Sequence, residues 1–232
     1  MKNILIIGGS RGIGAAILDT LKKSCNIYTI SRSSIIEDTN VKHFSLDVLV
    51  DELPEIEILD GLVYCPGTIN LKAFSRLSLE DFENDFQINV IGAIKVLKFY
   101  EKSLIKGTGS VVLFSTVATK LGMPFHSSIA LSKSAIEGLA KSLAAEHATK
   151  VRYNVIAPTV TETDLAKRLL RTVKQQDSIR ERHPLKKYLQ PKEVASLAAY
   201  LLSDESSAIS GQVFPLDAGI TCLLYTSPSP RD

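Results

Sequence analysis

The first apolar run of the chain, residues 3–7, breaks into Gly8-Gly9-Ser10-Arg11-Gly12-Ile13-Gly14, and an apolar periodicity then resumes at Ile13, Ile17 and Leu21. Few folds accept that order. Ile4 to Ile7 is apolar at every position, as a strand covered on both faces must be. Ile13, Ile17 and Leu21 recur at every fourth position, with Lys22 and Lys23 beyond them, which is the spacing of an amphipathic helix. Between the two, Gly8 allows a tight turn, Gly12 allows a phosphate to approach the backbone, and Gly14 allows helix and strand to pack closely. The helix start presents free N–H groups and the positive end of its dipole. Ser10, Arg11 and Ile13 stand in the same turn, so the segment is expected to cradle the pyrophosphate of a dinucleotide.

Strand and helix patterns alternate from there on. Residues 26–30, 41–46, 61–64, 110–114, 151–156 and 212–216 read as strands. Residues 79–104 hold one helical stripe through Leu79, Phe82, Phe86, Val90, Ala93, Val96, Leu97 and Tyr100. Residues 127–147 and 191–202 are also helical, and 163–181 reads as a basic helical segment. Such alternation predicts an α/β fold: a single doubly wound domain over residues 1–221, with a roughly seven-stranded parallel sheet and helices on both faces.

Composition agrees. A chain of 232 residues, 45% hydrophobic and 22% charged, can bury a real core. A net charge of +2 provides no global field for nucleic acid or an anionic membrane, and neither is expected as a partner. Three scattered cysteines form neither a disulfide framework nor a metal knuckle. No apolar run approaches the roughly 18 residues of a membrane span, and Met1-Lys2-Asn3 leads straight into a strand rather than a signal peptide. A cytoplasmic protein is expected. Residues 222–232, CLLYTSPSPRD, shift abruptly to Ser and Pro. They resemble the in-frame translation of a transposase sequencing adapter and are expected to be a non-native tail.

The spacing of the glycine loop, taken with later motifs, resembles the short-chain dehydrogenase/reductase family over residues 2–219. Asp47-Val48 matches the family's adenine-side acid and its neighbour. Gly67 ends Tyr64-Cys65-Pro66-Gly67, a departure from the family's Asn-Asn-Ala-Gly. Asn89, in Ile88-Asn89-Val90, matches the helix asparagine of the catalytic set. Asn154-Val155-Ile156-Ala157-Pro158, followed by Thr163, matches the nicotinamide-side segment, with Thr159 where a glycine is usual. Ser210-Gly211-Gln212 and Asp217-Ala218-Gly219 match the C-terminal pattern. The resemblance implies a Rossmann fold and NAD(P)-dependent hydride transfer between the cofactor and a small carbonyl or alcohol, with a homodimer or homotetramer formed through the two long helices.

The second strand is followed by Ile30-Ser31-Arg32-Ser33-Ser34. No carboxylate stands there to accept ribose hydroxyls or repel a 2′-phosphate, whereas Arg32 and Arg11 can grip one. NADP is expected over NAD.

One position departs sharply. The family uses a Tyr four residues before a Lys, on one helix face, as its proton-transfer group. Lys133 is present, but Ile129 occupies the Tyr position. The family's serine position falls on Thr116, with Ser115 beside it. Three tetrad positions are therefore recognisable (Asn89, Thr116, Lys133), and the fourth is apolar. Three accounts stay open: another group such as His126 or Tyr64 supplies the proton, or a water held by Lys133 and Asn89 does; the protein binds NADP(H) without turning over; or Ile129 is an error of sequencing. On the substrate side, residues 164–187 carry eight Lys and Arg against three Asp and Glu, an excess of +5 that would suit an anionic substrate.

Overall fold

A computed structural model describes residues 1–35 and 38–223. Among these, one sheet contains β1 (Lys2–Ile7), β2 (Cys25–Ser31), β3 (Val41–Ser45), β4 (Gly61–Tyr64), β5 (Ser110–Phe114), β6 (Arg152–Pro158) and β7 (Val213–Leu216). Their order is β3-β2-β1-β4-β5-β6-β7, and all neighbours run parallel. Parallel neighbours need long crossovers. Helices α1 (Gly12–Leu21), α2 (Leu79–Phe86), α3 (Gly92–Gly107), α4 (Ser127–Glu146), α5 (Val173–Arg182) and α6 (Pro191–Leu202) lie in these connections.

Alternate strand side chains feed two cores. Leu5 and Ile7 of β1 join Leu62, Val111, Leu113 and Val155 beneath α3 and α4, where Val96, Leu97, Tyr100 and Ile136 meet them. Ile4 and Ile6 turn the other way, with Val63, Val112 and Ile156, against Ile17 and Leu21 of α1 and Val194, Ala198 and Leu201 of α6. This is the covering on both faces that the uninterrupted apolar strands require.

Two expectations changed in detail. The stripe over 79–104 is one helical rod broken by a widened π-turn, Gln87–Ile91, between α2 and α3. Its start is fixed by Ser78 and Asp81, each side chain bonding the other's backbone N–H. The basic segment 163–181 is not one helix. It holds a short 3₁₀ turn at Asp164–Ala166, and α5 begins afresh at Val173 because Thr172 and Gln175 form a second reciprocal cap. Of the expected tail, residues 224–232 lie outside the described residues.

Candidate active site

A cleft of about 530 Å³ opens at the C-terminal ends of β1, β2 and β4, where the strand order reverses. Gly8, Ser10, Arg11, Gly12, Ile13 and Gly14 form one wall. Gly8 has φ +83°, and a Cβ on Gly14 would run into the Gly8 carbonyl, so neither position accepts a larger residue without a shift. No side chain caps the start of α1, which leaves its first N–H groups facing the cleft.

The end of β2 forms the next wall. Ser31, Arg32 and Ser33 line it, and Asp47 and Val48 approach from beyond β3. Arg32 is 76% exposed and lies 3.9 Å from an Asp47 carboxylate oxygen. A pair so exposed is worth little, and it leaves the guanidinium able to turn to a ligand. The other Asp47 oxygen accepts the Leu49 N–H at 3.0 Å.

Past β4 the wall is formed by Cys65, Pro66, Gly67 and Thr68. Gly67 lines the cleft, and a Cβ there would sit 3.2 Å from Asn89 Oδ1 and 3.5 Å from Lys133 Nζ. Two groups predicted from far-apart segments thus converge on one glycine. Asn89, carried by the π-turn, donates its amide to Thr68 Oγ1 at 2.9 Å and to the Asp85 carbonyl at 2.7 Å, while its Oδ1 is buried without a partner among the described residues. Burial lowers Lys133 to about 8, against opposing pulls from Cys65 and Asp85. The Cys65 thiol is enclosed although the residue is half-buried, and burial raises it to about 12.

Other predicted groups stand apart from the cleft lining. Thr116 caps the Ala118 N–H at 3.3 Å. Ser115 donates to Glu137 Oε1 at 2.5 Å, and Thr119 donates to the same oxygen at 2.8 Å. Ile129 is buried one helical turn before Lys133. His126 lies just before α4, with Nδ1 2.7 Å from the Pro124 carbonyl. Pro158 ends β6 beside Leu216. Tyr64, considered above as a proton source, does line the cleft, but its hydroxyl donates to the Ile88 carbonyl at 2.7 Å, and burial pushes its phenol far above its ordinary range.

The remaining wall is Thr163, Asp164 and Leu165. Farther along that connection, buried His183 bonds Thr159 Oγ1 through Nε2 at 2.8 Å and the Ile179 carbonyl through Nδ1 at 2.6 Å. Leu165, which from sequence could face either the pocket or the core, lines the cleft with Asp164. Sequence reasoning passed over Thr68, which also lines it, and Asp85, buried behind it. The only signal for Asp85 was its place four residues before Asn89, on the same helical face.

The uncapped helix start, the bare face of Gly67 and the unpartnered Asn89 oxygen fit a nicotinamide dinucleotide laid across the switch point. The profile of the family described as Enoyl-(Acyl carrier protein) reductase, adh_short_C2, matches residues 39–221. The chain belongs to the short-chain dehydrogenase/reductase family. It is 32% identical over 248 residues to "Oxidoreductase UcpA" of Salmonella typhimurium, covering 95% of this chain and 94% of that one. It is 32% identical over 233 residues to "Carbonyl reductase family member 4" of Xenopus laevis, covering 93% and 96%. The solved structure "ElxO with NADP Bound" superposes with a TM-score of 0.83 at 26% identity, covering 95% of this chain and 99% of that one. The chain is accordingly a nicotinamide-dependent oxidoreductase of this family. Among the described residues, no helix is long and apolar enough to cross a membrane.

Proposed function

We propose that the chain uses NADP(H) to reduce a small carbonyl, or to oxidise the matching alcohol, without a phenol at position 129. The observation that carries this is Arg32, exposed on the cleft wall at the end of β2, with no carboxylate in residues 31–34. A 2′-phosphate there would gain charge-assisted bonds from Arg32 and find Arg11 on the facing loop. Gly8, Ser10, Gly12, Ile13 and Gly14 would hold the pyrophosphate, and Asp47 with Val48 the adenine. Gly67, Asn89, Lys133, Pro158 and Thr163 would hold the nicotinamide half, and Thr116, whose hydroxyl accepts the Ala118 N–H, would give its hydrogen to the substrate oxygen, while Ser115 gives its own to Glu137. The bound nicotinamide supplies or takes the hydride.

Burial opposes the charge on Lys133 and brings its titration to about 8, which suits the amine to exchange a proton near neutral pH beside the reacting oxygen. The connection that lines the cleft with Asp164 and Leu165 carries a charge excess of +5 over residues 164–187, which would suit an anionic substrate. Phe99 on α3 and Leu131 on α4 are 46% and 52% exposed, and these helices suit pairing with a second copy. Residues 1–221 hold the whole site, and the protein is read as a cytoplasmic enzyme. Fluorescence titration with NADPH and NADH, followed by turnover on a panel of neutral and anionic carbonyls, tests the reading. Tighter binding of NADH, or NADPH binding with no turnover on any substrate, would overturn it.

A further inference from the structure

We infer that Thr68 and Asp85 form the proton route to the substrate oxygen that isoleucine at 129 leaves without a side chain, with Thr68 at the substrate and Asp85 acting through it. The inference rests on the redox reading above. Thr68 lines the cleft. Behind it Asp85, on α2, is only 3% exposed. One Asp85 oxygen accepts the Thr68 hydroxyl at 2.5 Å and the other accepts the Ser128 hydroxyl at 2.6 Å. Thr68 Oγ1 itself accepts the Asn89 amide at 2.9 Å.

A carboxylate this buried is costly unless something compensates it. Among the described residues, no cation comes within ion-pairing distance of Asp85. The charged group that faces it is Lys133 of α4, across the site, and Cys65 at the end of β4 faces Lys133 in turn. A brace between Thr68 and Ser128 would be served by a carboxamide, which carries no charge. The acid therefore calls for a role that uses its proton.

The hydrogen-bond inventory gives that role a definite form. A hydroxyl donates one hydrogen bond and accepts two. With Asp85 ionised, Thr68 donates to it, accepts from Asn89 and has one lone pair left for the cleft. That state suits an alcohol O–H. With Asp85 protonated, the acid O–H and the Asn89 amide both donate to Thr68, and its hydrogen is released toward the cleft. That state suits a carbonyl oxygen. During reduction the substrate oxygen takes the Thr68 proton as Thr68 takes the Asp85 proton. One O–H bond forms on the product and one breaks on Asp85, which is reprotonated by the one solvent proton that the reduction consumes. Oxidation reverses each transfer. Lys133 stabilises the carboxylate left behind, and that carboxylate helps to keep Lys133 charged.

The test compares Asp85→Asn, Thr68→Val and Thr68→Ser with the wild type, each checked by thermal melting and NADPH titration. Asp85→Asn and Thr68→Val should lower kcat on a responsive carbonyl by about 100-fold or more, while Thr68→Ser stays within a few-fold. NADPH affinity should hardly move. A second readout needs no cofactor: NMR titration of the Lys133 amine should show its midpoint falling in Asp85→Asn. Near-wild-type kcat in Asp85→Asn, equal loss in Thr68→Ser and Thr68→Val, or an unmoved Lys133 midpoint would each overturn the route. If Asp85→Asn does not fold, the two Thr68 variants decide the matter. A wild-type protein that binds NADPH but reduces nothing overturns the redox reading itself, and the route falls with it.

Discussion

The Tyr64 hydroxyl donates to the Ile88 carbonyl across 2.7 Å and so ties the end of β4 to the π-turn that carries Asn89. In that turn the N–H of Gly92 reaches back five residues to the Gln87 carbonyl. A Cβ on Gly92 would strike the Tyr64 hydroxyl, so the glycine and the tyrosine fit only as a pair.

Tyr64→Phe should therefore lower stability by about 1–3 kcal/mol, the range for a buried group deprived of its partner. Urea unfolding measures this. NADPH affinity should fall as well, because Asn89 loses its fixed seat. An unchanged unfolding midpoint would mean that water replaces the phenol.

Arg32→Asp should weaken NADPH binding by about tenfold or more while sparing NADH, since it replaces a charge-assisted donor with a repelling carboxylate. Equal losses for both cofactors would show that Arg32 acts on the fold rather than on the 2′-phosphate.

Ile129→Tyr places a phenol one turn before Lys133. A positioned general acid is worth on the order of 10²–10⁴-fold, so NADPH-dependent reduction of activated ketones should rise toward that range. Ile129 is 5% exposed, and overpacking costs roughly 1–3 kcal/mol, so melting must be measured beside rate. A folded variant with normal NADPH binding and no gain would show that the pocket does not place position 129 at the substrate.

Lys133→Met should raise stability near neutral pH even as it removes activity. Burial lowers Lys133 from 10.5 to about 8, so its charge costs the fold on the order of 3 kcal/mol below that range. Between about 8 and 10.5 the unfolded chain binds the extra proton, so this penalty shrinks as pH rises. The stability gap between variant and wild type should narrow over that window in denaturant titrations at stepped pH.

Removing residues 222–232 should leave melting temperature and NADPH affinity unchanged. Source DNA encoding the same residues would show the segment to be native.

Most strands were legible because they are apolar runs bounded by turn residues, although β3 carries Lys42 and His43, and the glycine loop declared a dinucleotide-binding turn before any sheet order was known. The break within 163–181 was written in the sequence as well, since Thr172 and Gln175 have the spacing of a reciprocal cap. The basic composition of the segment masked it. Asp85 could not be read in the same way. Its partners Thr68 and Ser128 lie 17 and 43 residues away, so nothing local distinguishes it from a solvated helix carboxylate. The role of Tyr64 was hidden for a related reason: its acceptor is a backbone carbonyl 24 residues on.

The bond between Thr159 and His183 has a consequence for how the cleft can open. Both imidazole nitrogens are engaged, one by the end of β6 and one by α5, so the far end of the connection over the cleft is pinned to the sheet. The near end is set by Thr163, which lies against Gly12. Any movement of the connection would thereby be confined to the span between, as in a drawbridge with both abutments fixed. Its travel is set by the short stretch from Asp164 to Thr172, ahead of the capped start of α5. In enzymes where such a cover must lift before product leaves, its opening often sets the pace of turnover. Here that pace would be tuned by residues that touch neither cofactor nor substrate.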